Sequence, residues 1–241
     1  MCFGADARPP QPPVRGGAGH RGPATLRSAD GAEFGVFYAH PATRAEVGVV
    51  ILPDVRGLHP YYEELAERFA EAGLHAIAVD YFGRTAGVGD RGQDFPFREH
   101  VERMDVAQVD TDVAAAVARL REAGARSVFT VGFCLGGALS WRQSAAGHGL
   151  AGCVGFYGRP ERAADVVDAM EAPLLLLAAG QDRTPVADVE AFAAQVRARG
   201  VVAEVHVYPD APHSFFDRRF EQYQEECDDA WRRILDFTAR R

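Results

Sequence analysis

The stretch VGFCLGGALSW, residues 131–141, constrains this chain more than any other. An apolar run leads into Gly132-Phe133-Cys134-Leu135-Gly136-Gly137 and continues as a helix-compatible segment. The pattern reads as a buried strand, a sharp turn with Cys134 at its apex, and a helix. A residue on such a turn is held in strained φ/ψ, and its neighbours must be small or the backbone cannot close; Gly132, Gly136 and Gly137 supply that room. The following helix aims its first N–H groups and the positive end of its dipole at the sulfur, and both favour a thiolate. Taken alone, the G-x-C-x-G frame also suits an inert core cysteine at a strand–helix junction. Its meaning depends on what surrounds it.

What surrounds it is an alternation of strands and helices. Residues 1–22 are rich in Pro, Gly and Arg and are expected to form a surface arm ahead of a single domain over residues 23–241. Residues 24–28 and 33–39 read as a hairpin around Ala29-Asp30-Gly31-Ala32. Residues 47–52 (VGVVIL) are a continuous apolar run, the mark of a parallel strand buried on both faces. The loop PDVRGLHP, an amphipathic helix ending at Gly73 and a strand over residues 74–79 follow. Residues 83–97 are Gly- and Arg-rich and too long for a simple connection, which suggests a lid or binding loop. A long helix is expected over residues 98–123, then strands at 127–132, 151–157, 173–179 and 202–208. A helix should start near Pro185, in its favoured first-turn position, and another should run over residues 219–239. The expected fold is α/β: a mostly parallel central sheet of about eight strands with helices on both faces. Ligands of such sheets bind beyond the carboxyl ends of the strands.

Composition excludes several chemistries. All 26 basic residues are arginine, so no Schiff base, pyridoxal phosphate or Walker-type lysine is available. A net charge of −8 argues against nucleic acid or an anionic membrane as a partner. Cys2, Cys134, Cys153 and Cys227 are scattered and form no CxxC pair, so neither a zinc site nor a disulfide framework is expected. No basic-then-apolar leader and no long apolar span stand out, and a reducing, cytoplasmic setting is expected. Cys153 lies inside an apolar strand and reads as core.

A thiol at the elbow needs a base to deprotonate it and a carboxylate to orient that base. Where a strand–elbow–helix carries the nucleophile, as in α/β-hydrolase folds, the partners follow in the order acid, then histidine. Asp182 lies just past one buried strand and His213 just past the next, which brings both to the sheet edge that carries Cys134. His59 is the rival base, in a loop that should border the site, though in the wrong chain order. Asp188 and Asp210 are weaker rivals to Asp182, and His206 reads as an outward strand face. The N–H of Leu135 and that of Val55, in the loop after residues 47–52, are the expected oxyanion donors.

GFCLGG, with GQD and PHSF at the right later positions, resembles the dienelactone hydrolase family from about residue 24 to the C-terminus. The resemblance implies that Cys134 attacks a cyclic enol ester and forms an acyl-enzyme, with His213 as base, Asp182 as its orienter, and no metal or organic cofactor. It also implies an acidic residue that helps generate the thiolate; the matching position is Asp54, where family members carry Glu. It further implies arginines that hold a substrate carboxylate. One family position falls on Asp217, with Arg218 beside it, and the other falls in the long loop, where Arg84, Arg91 and Arg98 are candidates. Tyr61, Phe82, Tyr157 and Phe215 are candidate pocket walls. The implied partner is a small ester or lactone, with an anionic one in view, and the chain is expected as a monomer or homodimer. Two other readings stay open: a broad esterase or biosynthetic thioesterase, and a non-catalytic fold whose Cys134 senses oxidants or ligands.

Overall fold

The computed structural model describes residue 4, residues 6–14 and residues 16–240. In chain order the strands are β1 (Ala18–Arg27), β2 (Glu33–Pro41), β3 (Val47–Leu52), β4 (His75–Val79), β5 (Ser127–Phe133), β6 (Gly152–Phe156), β7 (Leu174–Gln181) and β8 (Ala203–Pro212). The helices are α1 (Pro60–Glu71), α2 (Gly83–Ala86), α3 (Phe97–Glu102), α4 (Val106–Glu122), α5 (Leu135–Arg142), α6 (Val186–Ala198) and α7 (Gln224–Ala239).

All eight strands join one sheet in the order β1-β2-β4-β3-β5-β6-β7-β8. β1 and β2 pair antiparallel, β2 pairs antiparallel with β4, and every pairing from β4 onward is parallel. The apolar runs explain this layout. All six residues of β3 are buried, and alternate ones face opposite helical layers. Val49 and Ile51 pack with Leu65, Phe69 and Trp231 of α1 and α7. Val50 and Leu52 pack with Val113, Val117 and Leu120 of α4. A third cluster seats Val189, Phe192 and Val196 of α6 on Leu174 and Leu176.

Several boundaries differ from the sequence reading. β1 begins at Ala18, inside the stretch expected to be an irregular arm, because Ala18 pairs with Pro41 and the ladder of the hairpin extends that far. Within the arm, Ala7, Pro9, Pro10 and Pro12 are buried. It is pinned there by Trp231 Nε1–H, which donates to the Pro10 carbonyl at 3.1 Å, and by the Arg8 N–H, which donates to Asp217 at 2.9 Å. The long helix expected over 98–123 is two helices, α3 and α4. Asp105 divides them: its carboxylate accepts from Ala107 N–H at 2.9 Å and caps α4. Pro185 is the N-cap of α6 rather than a first-turn residue, and α7 starts at Gln224. Among the described residues no helix is long and apolar enough to cross a membrane.

Candidate active site

Cys134, Asp182 and His213 each stand first past the end of a strand: β5, β7 and β8 respectively. β7 and β8 are neighbours, and Gln181 faces Pro212 in their register, so Asp182 and His213 leave the sheet side by side. An irregularity between Ala179 and Gln181 bends β7 at this point. Gly180 is required there, since a Cβ on it would lie 2.2 Å from the Pro209 carbonyl oxygen. His213 Nδ1 lies 2.7 Å from Asp182 Oδ2. The His213 ring packs on Tyr157, with centroids 4.7 Å apart.

The elbow is as tight as its glycines suggest. Cys134 sits at φ 56° and ψ −113°, ahead of α5, and its N–H donates to the Phe156 carbonyl at 3.1 Å. A Cβ on Gly132 would fall 1.8 Å from the Gly136 oxygen, and one on Gly136 would fall 2.0 Å from the Leu52 oxygen. The turn therefore closes directly against the end of β3. Leu135 opens α5, so its N–H has no intrahelical acceptor.

Cys134, Asp182 and His213 line one cleft of about 850 Å³, together with Arg159, Gln181 and Arg183. Burial opposes ionisation of Asp182, but the His213 hydrogen bond and charge, with the N–H groups of Arg183 and Thr184, outweigh it and hold the carboxyl below its ordinary range. Cys134 is partly exposed, whereas Cys153 and Cys227 are buried and their thiols are pushed up to about 12 by desolvation. Among the described residues no group of three or more His, Cys, Asp or Glu side chains is arranged to hold a metal ion.

The remaining candidates fall elsewhere. Asp54 is fully buried; its Oδ1 accepts from Arg56 N–H at 2.8 Å and its Oδ2 lies 3.7 Å from His59 Nε2. His59 is buried near Asp54 and does not line the cleft. Asp188 lines the cleft rim, but Asp182 is the carboxylate on His213. Phe215 and Tyr157 belong to the core rather than the cleft wall, since both pack among Phe156 and neighbouring rings. None of the four candidate arginines lines the cleft. Arg84 is held by Asp30 and Asp112, and Arg218 reaches Glu64 at 3.1 Å. Arg91 is buried in a two-pronged bond to Asp80, at 3.0 and 2.7 Å, and Arg98 is exposed on α3. Carboxylates within the fold compete for these guanidinium groups, and sequence position does not reveal that competition. Arg159 and Arg183, which do line the cleft, were missed; their positions just beyond β6 and β7 are the signal that marks them.

A mostly parallel sheet, a strained elbow after its fifth strand and an acid–histidine pair after its last two define an α/β-hydrolase. The profile of the dienelactone hydrolase family matches residues 34–240. This chain belongs to that family, hydrolases acting on carboxylic ester bonds. The carboxymethylenebutenolidase of Pseudomonas putida is 28% identical over 199 residues, covering 79% of this chain and 84% of its own. A Salmonella typhi protein named "Putative carboxymethylenebutenolidase" is 30% identical over 230 residues, covering 88% of this chain and 84% of its own. A crystal structure from Klebsiella pneumoniae, named "Putative Dienelactone Hydrolase", superposes with a TM-score of 0.78 at 26% identity, covering 92% of this chain and all (100%) of that one.

Proposed function

We propose that the protein hydrolyses an activated ester or enol lactone through a covalent acyl-enzyme on Cys134, with His213 as general base and Asp182 orienting it. The observation that carries this reading is the 2.7 Å contact between His213 Nδ1 and Asp182 Oδ2 beside a cleft that Cys134 also lines. A carboxylate on Nδ1 favours the tautomer in which Nδ1 bears the proton and Nε2 the lone pair. His213 Nε2 takes the thiol proton, and the sulfur adds to the substrate carbonyl. The N–H groups of Leu135 and Val55 hold the tetrahedral oxyanion. The C–O bond then breaks, and the imidazolium returns its proton to the leaving oxygen; in a lactone that oxygen stays tethered to the acyl chain. Water, deprotonated by the same imidazole, adds to the thioester and releases the acid and the thiol.

In this reading Asp54 braces its own loop, because its shorter carboxylate is engaged with Arg56 N–H there. Most of the arginines that the family resemblance offered for a substrate carboxylate are engaged elsewhere. Asp217 occupies the position of a family arginine and holds the N-terminal arm, and Arg84, Arg91 and Arg218 are occupied by acidic partners. Arg159 and Arg183 line the cleft; Arg159 is paired with Glu161 at 2.5 Å, which leaves Arg183 as the arginine to meet a substrate anion in this reading. A cytoplasmic setting is consistent with Cys134, Cys153 and Cys227 forming no disulfide.

The test is intact-protein mass spectrometry after rapid mixing with a panel of enol lactones and aryl esters, anionic and neutral. An acyl mass on Cys134 is expected, absent in Cys134→Ala and accumulating poorly in His213→Ala. Undiminished hydrolysis by Cys134→Ala would end this assignment.

A further inference from the structure

The loop over residues 53–57, between β3 and α1, carries the Val55 N–H. Its first peptide unit joins the Pro53 carbonyl to the Asp54 N–H, and a buried phenol grips each end. Tyr81, past the end of β4, donates its O–H to the Pro53 carbonyl at 2.8 Å. Tyr62, in the first turn of α1, accepts from the Asp54 N–H at 2.9 Å. The two rings are 4% and 0% exposed, so neither hydroxyl is a solvent-facing accident. A buried hydroxyl costs stability unless it is hydrogen-bonded, and phenylalanine would fill the same volume without that liability.

The next peptide unit joins the Asp54 carbonyl to the Val55 N–H. That carbonyl accepts from Gly57 N–H at 3.1 Å, and the Asp54 side chain accepts from Arg56 N–H. The polar groups on either side of Val55 N–H are thus engaged, while that N–H itself has no backbone acceptor among the described residues. The start of α5 abuts the same loop, since a Cβ on Gly136 would lie 2.2 Å from the Pro53 oxygen. The start of α5 and the 53–57 loop therefore meet at the elbow.

We propose that Tyr62 and Tyr81 are positioning residues for the oxyanion hole: by holding the Pro53–Asp54 peptide from both ends they fix the direction of the Val55 N–H. The inference rests on the reading of Cys134 as the nucleophile. Burial, then Asp54 and Cys134, raises the Tyr81 phenol well above its ordinary value, so it remains a donor through the working pH range. A donor that must be aimed within a few tenths of an ångström gains from a peptide plane that cannot rotate.

The experiment compares two reactions of one sulfur in the full-length protein and its Tyr62→Phe and Tyr81→Phe variants. Acylation by an aryl ester passes through an oxyanion; alkylation by iodoacetamide is displacement at a saturated carbon and does not. Each variant is expected to acylate about 10-fold more slowly or worse, with KM little moved and alkylation within about twofold of the unsubstituted protein. Melting temperature monitors the fold. If Tyr62→Phe fails to fold, Tyr81→Phe, at the other end of the same peptide, carries the test. Parallel loss of acylation and alkylation would overturn the proposal, as would unchanged acylation. An unsubstituted protein that alkylates at Cys134 but never acylates would overturn the nucleophile reading as well, which separates the two failures.

Discussion

At Asp182 two opposing effects act on one carboxylate. Burial raises its pKa, and His213 with two backbone N–H groups lowers it by more. The balance keeps it charged, which is what orients an imidazole. Asp182→Asn removes that charge and permits the wrong tautomer. Its kcat is expected to fall on the order of 10³-fold with little change in melting temperature, as steady-state kinetics and a thermal melt would report. A near-normal kcat would assign the orienting role elsewhere. The shared placement of Cys134, Asp182 and His213 on one cleft was legible in the sequence because each comes within a few residues of the end of a recognisable strand. Arg91 was not, because its partner Asp80 decides where its guanidinium goes.

Among elements, residues 83–97 depart furthest from the sequence reading. The stretch reads as a lid, a binding loop or a mobile connection; it contains the short α2 and then folds back so that Arg91 is buried against Asp80, with its guanidinium 4.7 Å from the Phe95 ring centre. Phe95 in turn stacks on His100 of α3, with centroids 4.9 Å apart. This segment is anchored to the end of β4 by a buried ion pair rather than by apolar packing alone. Removing one partner strands the other's charge. Arg91→Ala is expected to lose about 3–5 kcal/mol in urea unfolding, and the double variant Asp80→Asn/Arg91→Met clearly less. Equal losses in both would show that packing, not the stranded carboxylate, sets the cost.

For the whole molecule, acid sensitivity follows from four histidines. Burial holds His40, His75, His148 and His206 below the ordinary value of 6.5. Between the folded and unfolded pKa values the unfolded chain binds more protons, so stability rises with pH there. The contribution is present above about pH 6.5 and is lost as pH falls through the lowered values. Urea midpoints should therefore drop between about pH 7.5 and about pH 5.5, before carboxylates titrate; a flat profile over that window would contradict the linkage.

Taken alone, the sequence determined the sheet, the elbow and the order of its three chemical groups. Those features rest on local pattern: apolar runs make strands, and glycines permit one strained turn. Only the tertiary structure decided which arginines reach the cleft, that the Pro-rich arm is tied down by Asp217 and Trp231, and that two tyrosines grip one peptide of the 53–57 loop. Each depends on partners distant in the chain, and competition among many possible long-range partners is resolved by packing in three dimensions, which no local pattern encodes.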